Sequence, residues 1–76
     1  MTFPPPQSPH HAIKQLRHQI SNLQADNERL LREYGTGVRP SWVSGDIGYN
    51  EMLIEGYRKQ ITTCEAMIAQ AEGNVQ

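Results

Sequence analysis

Apolar residues recur at alternating steps of three and four positions in two segments of this chain, and this pattern constrains its fold more than any other feature. The first run is Ile13, Leu16, Ile20, Leu23, Asn27, Leu30 and Tyr34, and the second is Ile47, Asn50, Ile54, Tyr57, Ile61, Cys64, Ile68, Ala71 and Val75. A spacing that averages about 3.5 residues places each run on one stripe of an α-helix, as in the seam of a coiled coil. The sequence therefore predicts two amphipathic helices, each of which needs a partner.

Capping and turn residues predict where the two helices begin and end. Ser8 is suited to N-cap the first helix with Pro9 at its first position, and Gly35 is suited to end that helix in a left-handed conformation. Ser41 offers an N-cap hydroxyl to the second helix. The predicted segments are a flexible proline-rich tail at 1–9, a helix at 10–34, a loop at 35–41, a helix at 42–72 and a frayed C-terminus at 73–76. Because the loop is short, the expected fold is all-α, an antiparallel two-helix coiled-coil hairpin.

Each stripe is interrupted once by an asparagine. With the loop midpoint near residue 38, Asn27 lies opposite a position next to Asn50 in an antiparallel hairpin. An unpaired buried amide costs about 1–3 kcal/mol, which favours a pair of amides across the seam over two amides that each face water. We therefore expect Asn27 and Asn50 to meet and to fix the register of the hairpin.

A hairpin of this size leaves apolar surface exposed. Leu31, Leu53 and Met67 lie off the main stripes, and one cysteine among 76 residues excludes an intrachain disulfide. Domains this small often gain their stability by oligomerisation. We expect self-association into a four-helix bundle or a larger helical oligomer.

The second helix also carries an apolar surface on the side away from its stripe. Its members, which are candidates for contact with another protein, are Trp42, Gly45, Tyr49, Met52 and Gly56, with Gly48 nearby. Interior glycines lower helix stability, so their recurrence indicates either close approach of another body or a loosely formed first half of the helix. Trp42 is interpreted either as a plug at the loop end of a bundle or as an interface anchor.

Composition and motifs exclude several classes of function. A formal net charge of −1 disfavours DNA as a partner, and the chain has neither an apolar run that could span a membrane nor an apolar signal sequence. We expect a cytoplasmic protein. His11 and His18 share a helix face but lack a third metal ligand, and no nucleophile elbow or other catalytic motif is present, so we expect no enzyme, no cofactor and no metal.

Most of the chain resembles one known family. Arg39, Pro40, Ser41, Trp42 and Val43, followed by Ile54, Tyr57, Arg58, Lys59 and Ile61, are similar in layout to the second helix of small phage-encoded hairpins that sequester cyclic nucleotide signals of bacterial immunity, the anti-CBASS and anti-Thoeris sponges. His11, Ile13, Lys14 and Arg17 look like their opening segment. The resemblance implies a homo-hexamer with nucleotides held between protomers, and its ligand candidates here are Lys14, Tyr57, Arg58 and Lys59. The glycine-rich second helix and the regular first stripe depart from that pattern.

Three functions follow from these features. The first is a non-enzymatic homo-oligomer that binds, and by binding inhibits, another protein, as a small phage-type counter-defence or regulatory factor would. The second is a sponge for cyclic nucleotides. The third is a zipper-type regulator, which the first helix suggests but which lacks the basic extension that DNA binding requires.

Overall fold

The structure, a computed structural model, describes residues 8–35 and 37–73. In this part of the chain, helix α1 spans Pro9–Tyr34 and helix α2 spans Ser41–Gly73, and the two pack against each other as an antiparallel hairpin. The all-α hairpin predicted from the two stripes is confirmed. Residues 1–7 of the predicted tail at 1–9 lie outside the described residues, as do residues 74–76 of the predicted frayed end at 73–76. Pro9 and Gly73, which those predictions included, are helical. No described helix is long and apolar enough to cross a membrane.

Helix α1 is capped at both ends by the residues that the sequence indicated. The Ser8 hydroxyl accepts a hydrogen bond from the backbone N–H of His11 at 3.2 Å, and Pro9 is the first helical residue, one position before the predicted start. At the other end Gly35 has a φ of +71°, and its N–H donates to the carbonyl of Leu31 at 2.8 Å. Glycine enters this left-handed region without the steric cost that other residues incur.

Helix α2 begins one residue earlier than predicted, and the prediction that Ser41 is its N-cap is wrong. Ser41 is the first helical residue, and the backbone N–H of Val43 donates to the carbonyl of Pro40 at 3.0 Å. Pro40 has no N–H to leave unpaired and its φ is fixed near the helical value, so it can precede the first turn directly. At its other end α2 extends to Gly73, one residue beyond the predicted limit.

Arg39 holds the loop against both helices, which the sequence did not reveal. Its guanidinium donates to the carbonyl of Gly35 at 2.9 Å and, through Nε, to the hydroxyl of Ser44 at 2.9 Å. The charge also lies at the C-terminal end of α1, where a cation interacts favourably with the helix dipole.

Loss of this contact should weaken the hairpin measurably. We expect Arg39→Ala to lower the free energy of unfolding by about 1 kcal/mol, because two hydrogen bonds and a helix-terminal charge are removed from a partly exposed site. Arg32→Ala is the matched control, since Arg32 lies in the last turn of α1 but makes no such contact with the loop. Urea unfolding followed by circular dichroism measures both, and an equal loss in the two variants would contradict the role given to Arg39.

The core is concentrated near the loop. Leu30, Val43 and Ile47 form its central cluster, and Val43 is the one described side chain that is completely buried. The predicted second stripe began at Ile47 and missed Val43, although Val43 lies four residues earlier and continues the same spacing. Further buried seam residues are Ile13, Ile20, Asn27 and Ile54.

The predicted amide pair is confirmed. Nδ2 of Asn50 donates to Oδ1 of Asn27 at 2.9 Å, and Asn27 is only 9% exposed. Within the described residues no fully buried side-chain nitrogen or oxygen lacks a hydrogen-bond partner. The pair therefore fixes the register of the two helices. Residues that face each other across the seam have numbers that add to about 77, as 27 and 50 do.

Several residues of the predicted seam are not buried in the single hairpin. Tyr34, the last residue of α1, is 37% exposed, and its ring packs edge to face against Trp42. Ala71 is exposed, and Val75 lies outside the described residues. The half-buried members are Leu16, Leu23, Asn50, Tyr57, Ile61, Cys64 and Ile68.

Candidate protein-interaction surfaces

The two helices distribute their apolar residues differently. Helix α1 separates apolar from polar residues sharply, whereas α2 is the more apolar helix and separates them much less. A helix that is apolar on more than one side is usually covered on more than one side. Because α1 covers only one side of α2, the remaining apolar surface of α2 is the first place to look for a partner.

A second stripe runs along α2 beside its seam with α1, and we call it the outer stripe. Its members succeed one another at steps of three, four, three and four residues: Trp42, Gly45, Tyr49, Met52 and Gly56. The three large side chains are 52%, 58% and 60% exposed, respectively, and Gly56 is half-buried. Near the loop, Trp42 and Tyr49 of this stripe also line a groove with residues of α1, including Leu30 and Glu33. The outer stripe thus repeats the spacing of a coiled-coil seam on a surface whose large side chains stay more than half exposed in the hairpin.

The glycines of α2 are not needed for packing within the hairpin. A Cβ atom placed at Gly45, Gly48 or Gly56 would meet no other group within 4 Å. The close approach expected at these residues therefore has no counterpart in the described part of the chain. On the outer stripe, Gly45 and Gly56 leave depressions beside the large side chains, into which side chains of another molecule can insert.

Trp42 does not plug the loop end of the single hairpin. Its ring contacts Tyr34 edge to face, with centroids 5.4 Å apart and planes at 81°, and about half of the residue remains exposed. An edge-to-face pair of this kind contributes about 0.5–1.5 kcal/mol beyond the area it buries, and it restrains the orientation of the indole. Trp42 is therefore a pre-positioned aromatic side chain, as an interface anchor requires.

On one face of the hairpin the seam residues Leu16, Leu23, Tyr57 and Cys64 are only half-buried, and we call this face the broad face. Two grooves between the helices lie on it. The groove at the open end of the hairpin includes Leu16 and Cys64, and the groove at the loop end includes Leu30 and Asn50. Leu23, Leu53 and Tyr57 are half-buried between these two levels, and Met67 is 53% exposed. The opposite face is lined instead by Ile13 and Ile68 at one level and by Asn27 and Ile54 at another.

Comparison with known proteins identifies no relative. No family model matches the chain, no curated protein matches it, and no solved structure matches it. The resemblance to nucleotide sponges rests on residue layout alone, and function has to be inferred from the exposed surfaces.

The four nucleotide-ligand candidates are not brought together in the single hairpin. Tyr57 lies half-buried in the seam, while Arg58 lies on the opposite face in a groove with Glu28, Glu51 and Glu55. The Nζ atom of Lys59 is 3.7 Å from Oε1 of Glu55. Lys14 lines a groove with Glu65 and Glu72, several residues nearer the open end. Each cation therefore has carboxylates nearby, which disfavours the binding of an anion by these residues within one chain.

Reactive and metal-binding groups are sparse in the described residues. No group of three His, Cys, Asp or Glu side chains there is arranged to hold a metal ion. Cys64 is a half-buried free thiol on the seam. In this position it acts as a small apolar side chain in the packing of the two helices.

Proposed function

We propose that this protein is a non-enzymatic, self-associating helical hairpin that binds another protein along the outer stripe of α2 and inhibits that protein by covering its surface. The observation that carries the proposal is the outer stripe itself, a seam-like row of Trp42, Tyr49 and Met52 that is more than half exposed. Tryptophan, tyrosine and methionine are enriched at protein interfaces, and tryptophan and tyrosine most often carry the binding energy.

The partner best suited to this surface is a helix with its own apolar stripe. The three-four spacing of the outer stripe matches the way an amphipathic helix presents its anchors, and the depressions at Gly45 and Gly56 provide holes for side chains of the partner. A glycine in a helix interior destabilises it by roughly 0.5–1 kcal/mol relative to alanine. Since packing within the hairpin does not require the glycines, contact with a partner supplies the reason for this cost.

The glycine stripe allows binding to be tested separately from folding. We expect Gly45→Arg to keep the hairpin folded, because a Cβ at this position is unobstructed and loss of glycine favours the helix. Its long side chain should nevertheless block the outer stripe. Trp42→Ala should weaken binding of the partner by about thirtyfold or more, the typical loss at a central aromatic anchor.

The measurement is affinity capture from a lysate of the native host cells, followed by titration of the captured protein by calorimetry. Gln24→Arg is the control variant, because Gln24 lies on the opposite face of the hairpin with Glu51 and Arg58. The proposal predicts one captured protein that binds wild type and Gln24→Arg equally but is lost with Gly45→Arg. Capture of the same protein by Gly45→Arg as by wild type overturns the proposal.

A thermal-shift measurement with cyclic nucleotides distinguishes the sponge. A nucleotide at a hundredfold excess over its dissociation constant stabilises the folded protein by about 2.7 kcal/mol. If the nucleotide stabilises wild type by this amount but not Arg58→Ala, and no protein is captured, the result contradicts protein binding and supports nucleotide sequestration as the function.

A further inference from the structure

The two grooves of the broad face differ in charge. The loop-end groove is bordered by three carboxylates, Asp26, Glu33 and Asp46, and by one cation, Arg29. Arg29 lies 3.9 Å from Glu33 and offsets one of the three negative charges, so the groove keeps an excess of two carboxylates.

The open-end groove has the opposite character. No carboxylate borders it, and its polar residues include Gln15, Gln19 and Gln60. Lys14 and Arg17 also border it, although both reach the groove on the opposite face, where Glu65 and Glu72 lie. The broad face thus has an acidic end near the loop and a neutral to basic end at the opening of the hairpin. Between them Leu23, Leu53 and Tyr57 supply a half-buried apolar centre.

This arrangement is self-complementary in only one orientation. If two hairpins pack their broad faces with loops at the same end, six carboxylates come together. If they pack with loops at opposite ends, the acidic groove of each copy faces the open-end groove of the other. Like charges across an interface are strongly unfavourable, whereas complementary potentials favour association and fix the orientation.

We propose that a second copy of this chain occupies the broad face in antiparallel orientation, related by a two-fold axis that passes near Leu23 and Tyr57. This inference rests on the self-association included in the proposed function and specifies its face and direction. The assembly is a four-helix bundle in which Gln19 lies beside Asp26 of the second copy, and Gln15 lies near Glu33 and Asp46 of the second copy. Trp42 and Tyr49 of the outer stripe line the loop-end groove and therefore border this interface, whereas Gly45, Met52 and Gly56 lie outside both grooves and stay open to another protein.

The size of the broad face fits a stable dimer. Helix α1 has 26 residues, which gives a length of about 39 Å at 1.5 Å per residue. Two helices side by side are about 20 Å wide, so each copy offers roughly 800 Å², the area that each partner contributes to a standard interface. The half-buried row of Leu16, Leu23, Tyr57 and Cys64 would then be covered as fully as the buried row of Ile13 and Ile20.

Two pairs of substitutions at exposed glutamines test the orientation. In the antiparallel dimer, Gln15→Lys with Gln19→Lys adds cations opposite the acidic groove and should tighten the dimer by about tenfold. Gln15→Glu with Gln19→Glu adds anions there and should weaken it by about tenfold. Both pairs leave the core of the hairpin untouched, since Gln15 and Gln19 are exposed in the single chain. Gln24→Lys and Gln24→Glu, on the opposite face, should leave the dimer unchanged.

Sedimentation equilibrium at low salt measures the dissociation constant of each variant. Opposite effects of the lysine and glutamate pairs support the antiparallel dimer. Weakening of the dimer by both pairs means that the open-end grooves of the two copies face each other, as they do when the loops lie at the same end. This result overturns the orientation while leaving self-association intact. Equal affinity of all variants places the interface on another face and also overturns the inference. A wild-type chain that stays monomeric at every concentration overturns this inference and the self-association in the proposed function, whereas protein binding along the outer stripe is decided separately by the Gly45→Arg capture experiment.

Discussion

Replacing Leu30 by alanine is expected to lower the free energy of unfolding by about 2–5 kcal/mol, the usual cost of such a truncation in a core. Leu30 is 5% exposed and packs with Val43 and Ile47 in the central cluster, so its removal leaves a cavity where the two helices meet beside the loop. A domain of this size has little stability to spare, and the variant should be largely unfolded at 37 °C.

Leu31→Ala is the matched control for this prediction. The side chain has the same size and lies one position further along the same helix, but Leu31 is 38% exposed. Leu31→Ala should therefore lower the free energy of unfolding by well under half as much as Leu30→Ala. Urea unfolding followed by circular dichroism measures both variants, at one fixed protein concentration because the proposed self-association would make stability depend on concentration. Equal costs would contradict the placement of Leu30, and not Leu31, in the core.

The contrast between these two leucines shows what the sequence reveals about the fold. The three-four spacing distinguishes Leu30 from Leu31, because only residues at that spacing share the seam. The same rule predicted the amide pair and the two helices, and it would have included Val43 had the second run been extended four residues toward the loop. Periodicity is set by helix geometry, so it can be read without the structure.

The remaining features depend on geometry that spacing does not encode. The contacts of Arg39 with Gly35 and Ser44 depend on the path of the loop, which no periodic pattern describes. Tyr34 continues the first stripe, yet as the last residue of α1 it is 37% exposed and packs against Trp42. Ile20 and Leu23 are both members of the stripe, yet Ile20 is buried and Leu23 is half-buried. The difference depends on how far each helix is rotated about its own axis toward the other, which the spacing does not specify.

The candidate surfaces divide in the same way. The sequence placed Trp42, Tyr49 and Met52 on one side of α2, and their exposure in the hairpin agrees with that placement. The separation of charge along the broad face has two origins. Asp26 and Glu33 lie toward the loop end of α1 itself, whereas Asp46 of α2 joins them only because Asn27 and Asn50 set the level at which the helices pair. The orientation proposed for a second copy therefore depends in part on the amide pair.

The amide pair gives the second large expected effect. Asn50→Leu removes the donor to Asn27 and leaves a nearly buried amide without its partner in the hairpin, so we expect a loss of about 1–3 kcal/mol in the free energy of unfolding. Asn27→Leu should cost a similar amount, reduced because Asn50 is half-buried and can bind water. The double variant should be as stable as wild type or more stable, since replacing both partners of a buried hydrogen bond by apolar groups removes the unpaired amide.

The double variant should lose specificity even though it keeps stability. A seam of leucine and isoleucine without asparagine permits neighbouring registers and more than one oligomeric state, because no buried polar group then penalises a shift. Light scattering should show a mixture of species where wild type gives one, and urea unfolding of the two single variants and the double variant closes the thermodynamic cycle. Additive effects of the two substitutions would mean that the amides do not depend on each other. Non-additive effects together with a mixed population would show that the pair determines which residues meet across the seam, and through them which ends of two hairpins can face each other.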